Sequence, residues 1–540
     1  MFGNMMDRPL LISSLLEFAV QNHPRARITT RLTEGGFHDC TWLDIERRAK
    51  QLANALTAAG IRPGDRIGTL AWNTHRHLEL YFGVSGMGAV LHTVNPRLFP
   101  EQICWIINHA EDRFLFVDLT FMPAIENFGE KLSKLEKIVV MTDRAHMPAS
   151  KLPNLVCYED FVGSAGTHYS WPEFDEKTAA SLCYTSGTTG NPKGVLYSHR
   201  STVLHAWGTL HRGALDIHAD TVILPVVPMF HVNAWGVPYA AAMSGANLAL
   251  PGPGLDGKNL HELIEREQAT LLLGVPTVWL GLLNYLDTVN AKLHTVKHVV
   301  VGGSAAPLAM IRAFDQKHDA FLIHAWGMTE MSPLGTVNAP TAELLALPPE
   351  QRYQKQLKQG RPVYGVDMKI IDDKGIELPR DGRTFGRLMV RGPWIIGKYY
   401  KVDDMSSFTD GWFDTGDVAT IDGDNVMQIV DRKKDVIKSG GEWISSIDLE
   451  NAAVGHPAVK EACVIGVAHP KWDERPILLC ILKDGQSATK DELLAFLSKS
   501  VAKFWLPDDV LFVNELPHTA TGKLLKIDLR EKYRNHLMSS

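Results

Sequence analysis

Hydrophobic residues recur along the chain in two alternating patterns. Over residues 41–60 they are spaced as on one face of a helix, and the pattern stops at Gly60. The apolar runs at 67–71, 90–94 and 114–117 are short and bounded by polar residues, which is typical of buried strands. Because helix and strand patterns alternate over most of the chain, the sequence predicts layered α/β structure.

The pattern changes twice in the second half of the chain. From about residue 364, short strands alternate with turns, which predicts a small β-rich lobe. From about residue 432 a separate α/β segment begins, and no Gly/Ser-rich or Pro-rich linker precedes it. We therefore predict an α/β fold with a large domain at 1–431, a hinge, and a small α+β domain at 432–540.

Composition restricts the class of protein. The 540 residues are 45% hydrophobic and 21% charged, with a net charge of -6, which argues against nucleic acid as the main partner. The six cysteines include no C-x-x-C pair, which argues against a zinc site and a disulfide framework and favours a reducing cytosol. No stretch reaches the ~18 to 20 apolar residues of a membrane span, so we expect a cytoplasmic protein without one.

The strongest functional signal is the stretch at 184–194, Y-T-S-G-T-T-G-N-P-K-G. It follows a predicted strand at 179–184 and presents glycines, hydroxyls and a lysine, a composition suited to wrapping a polyphosphate. A Walker A loop requires Ser or Thr after the lysine, but Gly194 follows Lys193 here. The loop is therefore a different phosphate loop, or else a flexible surface turn.

Six further stretches help to distinguish a phosphate loop from a flexible surface turn. Each has an ordinary structural explanation on its own: core aromatic residues, a tight turn, an acid at a helix start, an Asp-rich β-turn, a solvated charge run or an exposed lysine. Each also has a chemical one: an acid pocket, a purine platform, a magnesium ligand, a ribose acceptor, a hinge or a catalytic cation. In chain order they are residues 228–235, 302–307, 325–330, 412–417, 431–443 and 521–523.

Together and in this order, the stretches resemble the adenylate-forming (ANL) superfamily, which includes acyl-CoA synthetases, luciferases and peptide-synthetase adenylation domains. The similarity extends over about residues 40–530. The segments F-H-V-N-A-W and I-K-S-G-G-E-W are similar to those of bacterial medium-chain fatty acyl-CoA ligases, and most closely to those of the 3-methylmercaptopropionate–CoA ligases. The resemblance implies an AMP-forming acid–CoA ligase that uses ATP, Mg²⁺ and CoA, with 3-methylmercaptopropionate as its acid or, alternatively, medium-chain fatty acids in general.

The resemblance also implies roles for individual residues. Catalysis is expected from Lys523 and His231. ATP binding is expected from Thr185, Ser186, Gly187, Thr188, Thr189, Gly190, Lys193, Gly303, Ser304, His324, Ala325, Trp326, Thr329, Asp417, Arg432 and Lys434. The acid is expected to contact His231, Val232, Trp235, Gly302 and Pro333, and Trp279 is a further candidate wall. CoA is expected at Lys438, Ser439, Gly440, Gly441, Glu442 and Trp443. Magnesium is expected at Thr185 and Glu330.

Two positions, Trp326 and Lys434, have particular significance in the resemblance. The superfamily usually has Tyr where this chain has Trp326, so an adenine-stacking ring is retained but the phenol hydroxyl is lost. Lys434 occupies the position about which the small domain of the superfamily turns. The resemblance leaves a homodimer open.

Three other functions remain as alternatives. An amino-acid-activating domain would need an acid in the pocket, and residues 228–239 contain none. A luciferase-like oxygenase shares the fold and the first reaction step. A nucleotide-binding protein without catalysis is disfavoured by the combination of Thr185, Glu330, Asp417 and Lys523.

Overall fold

Two large β-sheets form the body of the protein. The structure is a computed structural model and describes residues 1, 3–132, 134–185, 191–439, 442–518 and 524–538, without the side chains of 442 and 443. In the described part, the first sheet has nine strands and is parallel at its centre. Its strands, in spatial order, are Arg361–Pro362, Leu334–Val337, Phe321–Gly327, His298–Val301, Leu271–Gly274, Val222–Pro225, Asn247–Leu250, Arg27–Arg31 and Phe37–Thr41.

The second sheet carries the strand that leads into the phosphate loop. Its described strands, in spatial order, are Leu155–Cys157, Lys137–Val140, Asp112–Val117, Arg66–Leu70, Val90–Thr93, Ala179–Tyr184 and Gly194–Ser198. Helix His75–Gly86 is buried at every position, and one hydrophobic core joins residues of both sheets. The predicted α/β layers are therefore confirmed.

Helices cover these sheets and end at local signals. Helix Trp42–Ala58 begins at a capping box made by Thr41 and Asp44 and ends just before Gly60, where φ is +85°. The other described α-helices of the large sheets are Ile12–Asn22, Pro100–Ala110, Met122–Phe128, Tyr158–Gly163, His199–Leu210, Val237–Ser244, Gly257–Glu267, Pro276–Val289, Leu308–His318, Ala342–Leu345 and Pro349–Gln356.

A third sheet forms the β-rich lobe expected after residue 364. Its described strands are Asp367–Ile371, Gly386–Arg391, Trp412–Ile421, Phe408–Thr409 and Met427–Arg432. The ordinary explanation of 412–417 as an Asp-rich β-turn is wrong, because these residues begin the long strand Trp412–Ile421. The glycine and aspartates that suggested a turn belong to an irregular part of this strand, where Gly416 has a φ of +71° and the pairing register shifts.

The fourth sheet lies in the C-terminal part of the chain. It contains Glu442–Ile444, Ile437–Ser439, Asp473–Leu482, Val459–His469 and Asp509–Phe512, packed with helices Ser446–Val454, Lys490–Leu497 and Lys526–Tyr533. Residues 433–436 connect it to the third sheet. Among the described helices, none has both the length and the apolar character needed to cross a membrane.

Candidate active site

One cavity of about 850 Å³ brings together most of the predicted site residues that the structure describes. It lies beyond the carboxyl ends of parallel strands of the first sheet, where α/β proteins commonly bind ligands. Fourteen of the predicted residues line it: Thr185, Lys193, His231, Val232, Trp235, Gly302, Gly303, Ala325, Trp326, Thr329, Glu330, Pro333, Arg432 and Lys434.

The two described ends of the phosphate loop are held together at the edge of this cavity. The backbone N–H of Thr185 donates to the Lys193 carbonyl (2.9 Å), and the backbone N–H of Lys193 donates to Thr185 Oγ1 (3.3 Å). Lys193 Nζ lies 4.9 Å from the centre of the Tyr399 ring. The predicted loop residues Ser186, Gly187, Thr188, Thr189 and Gly190 lie outside the described residues. The ends are thus fixed as an extension of the strand pair that flanks the loop.

Glu330 supplies a buried carboxylate to the same region. It lies in a short 3₁₀ helix, Thr329–Met331, and its side chain accepts a 2.7 Å hydrogen bond from the Tyr399 hydroxyl. Burial raises the pKa of this carboxyl, only partly offset by the Tyr399 hydrogen bond. A carboxylate and the hydroxyl of Thr185 in one cavity are hard oxygen ligands of the kind that Mg²⁺ takes together with phosphate oxygens. These residues therefore fit a magnesium ion.

Asp417 lies next to the cavity, where its carboxylate is bound by two predicted ATP residues that line the cavity, Trp326 and Arg432. Arg432 Nε is 2.8 Å from Oδ1, the indole N–H of Trp326 donates to Oδ2 at 3.0 Å, and the Asp417 side chain is only 3% exposed. Its position is set by the irregular strand described above rather than by a turn. Both donors hold the carboxylate in one orientation.

The other end of the cavity is apolar and is shaped by an unusual backbone. Residues 232–236 all have positive φ, from +47° at Val232 to +75° at Gly236, so they form a left-handed helical turn. For residues other than glycine such a conformation costs roughly 1–2 kcal/mol each. The turn presents His231, Val232 and Trp235 to the cavity. The Trp235 ring lies so close to Gly302 that a Cβ there would meet it at 2.8 Å.

Several predicted residues are not among those that line the cavity. His324 is buried and hydrogen-bonds the Leu357 carbonyl through Nδ1 (2.9 Å), and burial lowers its pKa to about 4. Ser304 is exposed beside Gly303. The prediction for Trp279 as a pocket wall is wrong, because its ring is fully buried in a hydrophobic core and its N–H donates to the Val300 carbonyl.

The residues expected at CoA belong to the fourth sheet. Lys438 is exposed and Ser439 is buried, where its Oγ accepts a 3.3 Å hydrogen bond from Arg475. The backbone of Glu442 and Trp443 forms the neighbouring strand. Gly440 and Gly441 lie outside the described residues, as does Lys523. Leu524, the next described residue after Lys523, lines the cavity.

The cavity also contains residues that sequence reasoning missed. Arg97 lines it, and burial lowers the pKa of its guanidinium, which lies 5.7 Å from the centre of the Phe230 ring. Its place just after the buried strand Val90–Thr93 was a usable signal, because residues beyond the carboxyl ends of parallel strands commonly reach ligands. Tyr399 also lines the cavity, but no local sequence pattern around it indicates a functional role.

Comparison with known proteins agrees with this geometry. The family model described as AMP-binding enzyme matches residues 16–400, and the model for the AMP-binding enzyme C-terminal domain matches residues 448–523. The chain is similar to the 3-methylmercaptopropionyl-CoA ligase of Ruegeria pomeroyi, with 53% identity over 99% of this chain and 100% of the relative. It is also similar to the medium-chain-fatty-acid–CoA ligase of Ectopseudomonas oleovorans, with 50% identity over 100% of this chain and 99% of the relative.

Solved structures share the whole fold. The anthranilate CoA ligase AuaEII in complex with anthranoyl-AMP superposes with a TM-score of 0.86 at 25% identity, covering 98% of this chain and 99% of that one. ATP-bound MatB from Rhodopseudomonas palustris has a TM-score of 0.81 at 23% identity, covering 98% of this chain and 100% of that one. The expected ANL fold is therefore confirmed, and the chain belongs to the AMP-binding enzyme family.

Proposed function

We propose that the protein is an AMP-forming acid–CoA ligase that activates a short or medium-chain carboxylic acid, with 3-methylmercaptopropionate as the first candidate. The observation that carries the proposal is one cavity with a cationic, phosphate-loop end at Thr185 and Lys193 and an apolar end at His231 and Trp235. An acid and ATP bound at these two ends would meet between them. The relatives of this chain at 50–53% identity carry the name of acid–CoA ligases.

The first step joins the carboxylate to the α-phosphate and releases pyrophosphate. Two unit charges ~4 Å apart repel by about 4 kcal/mol at an effective dielectric near 20. Lys193, Arg432 and Lys434 line the cavity and bring positive charge towards the triphosphate. Mg²⁺ held by Glu330 and Thr185 would supply further charge neutralisation of the phosphates. Lys523 is the proposed catalytic cation, and His231 is proposed to contact the acid.

The nucleotide itself is assigned to the centre of the cavity. Trp326 offers an aromatic face for the adenine, and Gly303, which is exposed and has no side chain, leaves its own backbone uncovered. Asp417 is proposed to accept the ribose hydroxyls, since both of its oxygens are already oriented by Trp326 and Arg432.

The second step transfers the acyl group to the thiol of CoA. We propose that residues beyond Lys434 rotate as a unit, which withdraws Lys523 and brings the paired strands Ile437–Ser439 and Glu442–Ile444 towards the acyl-adenylate. In the described orientation the backbone N–H of Ser446 donates to Asp431 Oδ2 (2.9 Å), and this contact spans the proposed hinge. The domain rotation would have to break this hydrogen bond.

The choice of acid follows from the relatives more than from the pocket. Replacing a methylene by sulfur makes 3-methylmercaptopropionate nearly isosteric with a five-carbon acid, and an apolar pocket separates such analogues by only ~1–3 kcal/mol. Medium-chain fatty acids are the alternative, because the medium-chain-fatty-acid–CoA ligase of Ectopseudomonas oleovorans is almost as similar to this chain.

Acid-dependent release of pyrophosphate from ATP tests the ligase activity. We expect release with 3-methylmercaptopropionate and formation of the thioester when CoA is added. A series of kcat/KM values over C3 to C12 acids and 3-methylmercaptopropionate then identifies the acid. Absence of pyrophosphate release with every acid would refute the ligase. Oxygen consumption with the acyl-adenylate would instead favour the luciferase-like alternative.

A further inference from the structure

In the left-handed turn at 232–236, the side chain of Asn233 has no role in the proposed reaction. His231, Val232 and Trp235 line the cavity, but Asn233 does not and is 3% exposed. Its side chain instead enters a buried polar cluster made by Tyr81, Thr93, Ser181 and Cys183. The turn therefore has one face towards the cavity and one polar anchor on the opposite side.

The contacts of Asn233 are specific. Its Nδ2 donates a 2.9 Å hydrogen bond to Ser181 Oγ, and Thr93 Oγ1 and Cys183 Sγ lie 3.5 Å and 3.4 Å from its Oδ1. Thr93 and Cys183 are paired across two neighbouring parallel strands, so the carboxamide docks onto both strands at once. A buried carboxamide with partners for both its oxygen and its nitrogen fixes the backbone that carries it.

The strand at the other end of this contact is the one that leads into the phosphate loop. Ser181 and Cys183 belong to strand Ala179–Tyr184, and Thr185 follows it directly. One side chain thus links the wall of the acid end to the base of the phosphate end. The carboxylate and the α-phosphate react only when they are held in the correct relative position. The left-handed turn and the strand must therefore be fixed relative to each other.

We propose that Asn233 is a positioning residue: by tying the left-handed turn to strand Ala179–Tyr184 it fixes His231 and Trp235 relative to the phosphate loop. This inference rests on the proposed ligase function. It differs from a purely conformational role, in which Asn233 is present only because asparagine tolerates positive φ better than other residues with a side chain. That role would not need Ser181.

Two substitutions separate the tie from the backbone preference. Asn233→Gly keeps a residue that adopts positive φ freely but removes the carboxamide. Ser181→Ala removes the acceptor of Nδ2 and leaves the turn sequence intact. Because a misplacement of about 1 Å can cost up to ~100-fold in rate, we expect each variant to raise the KM for the acid by roughly 10-fold. The KM for ATP is expected to change by less than about twofold, since ATP contacts other residues.

The double variant provides the decisive comparison. If the two side chains act through one contact, Ser181→Ala adds no further loss of kcat/KM for the acid in the Asn233→Gly background. Additive losses, or a Gly variant with the wild-type KM for the acid, would overturn the proposal. Equal increases in both KM values would also overturn it, because they indicate a general structural role.

Hydrogen exchange tests the same tie without turnover. We expect peptides that cover residues 228–239 to exchange faster in Ser181→Ala than in the wild type, while peptides of the fourth sheet are unchanged. Unchanged exchange at 228–239 would overturn the proposal. A wild-type protein that releases no pyrophosphate would refute the ligase function, and the exchange experiment would still decide whether Asn233 holds the turn.

Discussion

The indole N–H of Trp326 donates a 3.0 Å hydrogen bond to Oδ2 of Asp417. Arg432 approaches the other oxygen of the same carboxylate at 2.8 Å, so one nearly buried acid has two directional donors. The superfamily usually has tyrosine at the position of Trp326, and a phenol carries its hydroxyl at the tip of the ring, not on a fused second ring. In this chain the indole therefore combines an aromatic face with a donor that orients Asp417.

Trp326→Phe removes the donor and retains an aromatic face. A hydrogen bond to a charged group contributes about 1.5–3 kcal/mol, so we expect the KM for ATP to rise by roughly 10-fold or more. The KM for the acid is expected to change little. Steady-state kinetics with each substrate varied in turn measures both, with Trp326→Tyr as the comparison. A Phe variant with an unchanged KM for ATP would show that the contact with Asp417 has no role in binding.

Lys523→Ala is expected to separate the two half-reactions. Without this cation, pyrophosphate release should fall by at least ~100-fold, the usual cost of losing a group that stabilises transition-state charge. Thioester formation from supplied acyl-adenylate and CoA should be largely retained, because Lys523 is proposed to have left the site by then. Lys526→Ala is not a suitable control, since Lys526 forms an ion pair with Glu450, whose side chain is 14% exposed. Lys532→Ala, which changes an exposed lysine, is the control. Equal loss of both half-reactions would contradict the rotation model.

Glu330→Gln tests the proposed magnesium site. The amide keeps the shape of the side chain but removes the charge that attracts the metal, so we expect a higher Mg²⁺ concentration for half-maximal pyrophosphate release. Chelation of Mg²⁺ should stop the wild-type reaction, and added Mg²⁺ should restore it. The Tyr399→Phe variant, which removes only the hydrogen bond to Glu330, is expected to have a smaller effect. An unchanged Mg²⁺ requirement in Glu330→Gln would place the metal elsewhere.

Gly302→Ala tests the contact between Gly302 and the Trp235 ring in the proposed acid pocket. An added Cβ would meet the Trp235 ring at 2.8 Å, so the ring must move into the cavity or out of it. Forcing a methyl group into a packed site typically costs about 1–3 kcal/mol, and we expect the KM for the acid to rise by ~10-fold or more. Gly281→Ala adds a methyl group where nothing lies within 4 Å and serves as the control. Equal kinetics in the two variants would argue against a close contact.

Asp118 makes the stability of the protein pH-dependent. Its carboxyl group is buried, Oδ1 has no hydrogen-bond partner, and burial raises its pKa from 3.8 to about 7. Between pH 4 and 7 the unfolded chain has already lost this proton while the folded protein still holds it. The unfolded state is therefore favoured progressively as the pH rises through this window, and the penalty is complete above pH 7.

Asp118→Asn removes this titration. The backbone N–H of Trp72, which donates to Oδ2 at 2.6 Å, still finds an amide oxygen in the variant. We expect the free energy of unfolding of Asp118→Asn, relative to the wild type, to increase from pH 4 to pH 7 by up to a few kcal/mol, at about 1.4 kcal/mol per pKa unit. Denaturant titrations at several pH values measure this. A difference that does not vary with pH would show that Asp118 titrates normally.

Much of the fold follows from local pattern. The strand at 179–184 has the predicted bounds, because it is a continuous run of mainly apolar residues that is buried between layers and stops at residues unsuited to a core. The pattern failed at 412–417, where glycine and aspartate suggested a turn although strand pairing with Gly386–Arg391 overrides that local preference. It also failed at Trp279, because an aromatic residue near a pocket motif can equally face the core.

By itself, the sequence determined the alternation of elements, the position of the phosphate loop and the set of residue types that the chemistry needs. Only the tertiary structure decided which of these residues meet. Trp326 and Asp417 are 91 positions apart, and Asn233 and Ser181 are 52 apart. The left-handed turn at 232–236 has no local signal beyond Gly236, and it exists where buried partners on other elements hold it. Such contacts depend on sheet register and on packing between layers, to which each local stretch contributes only one side.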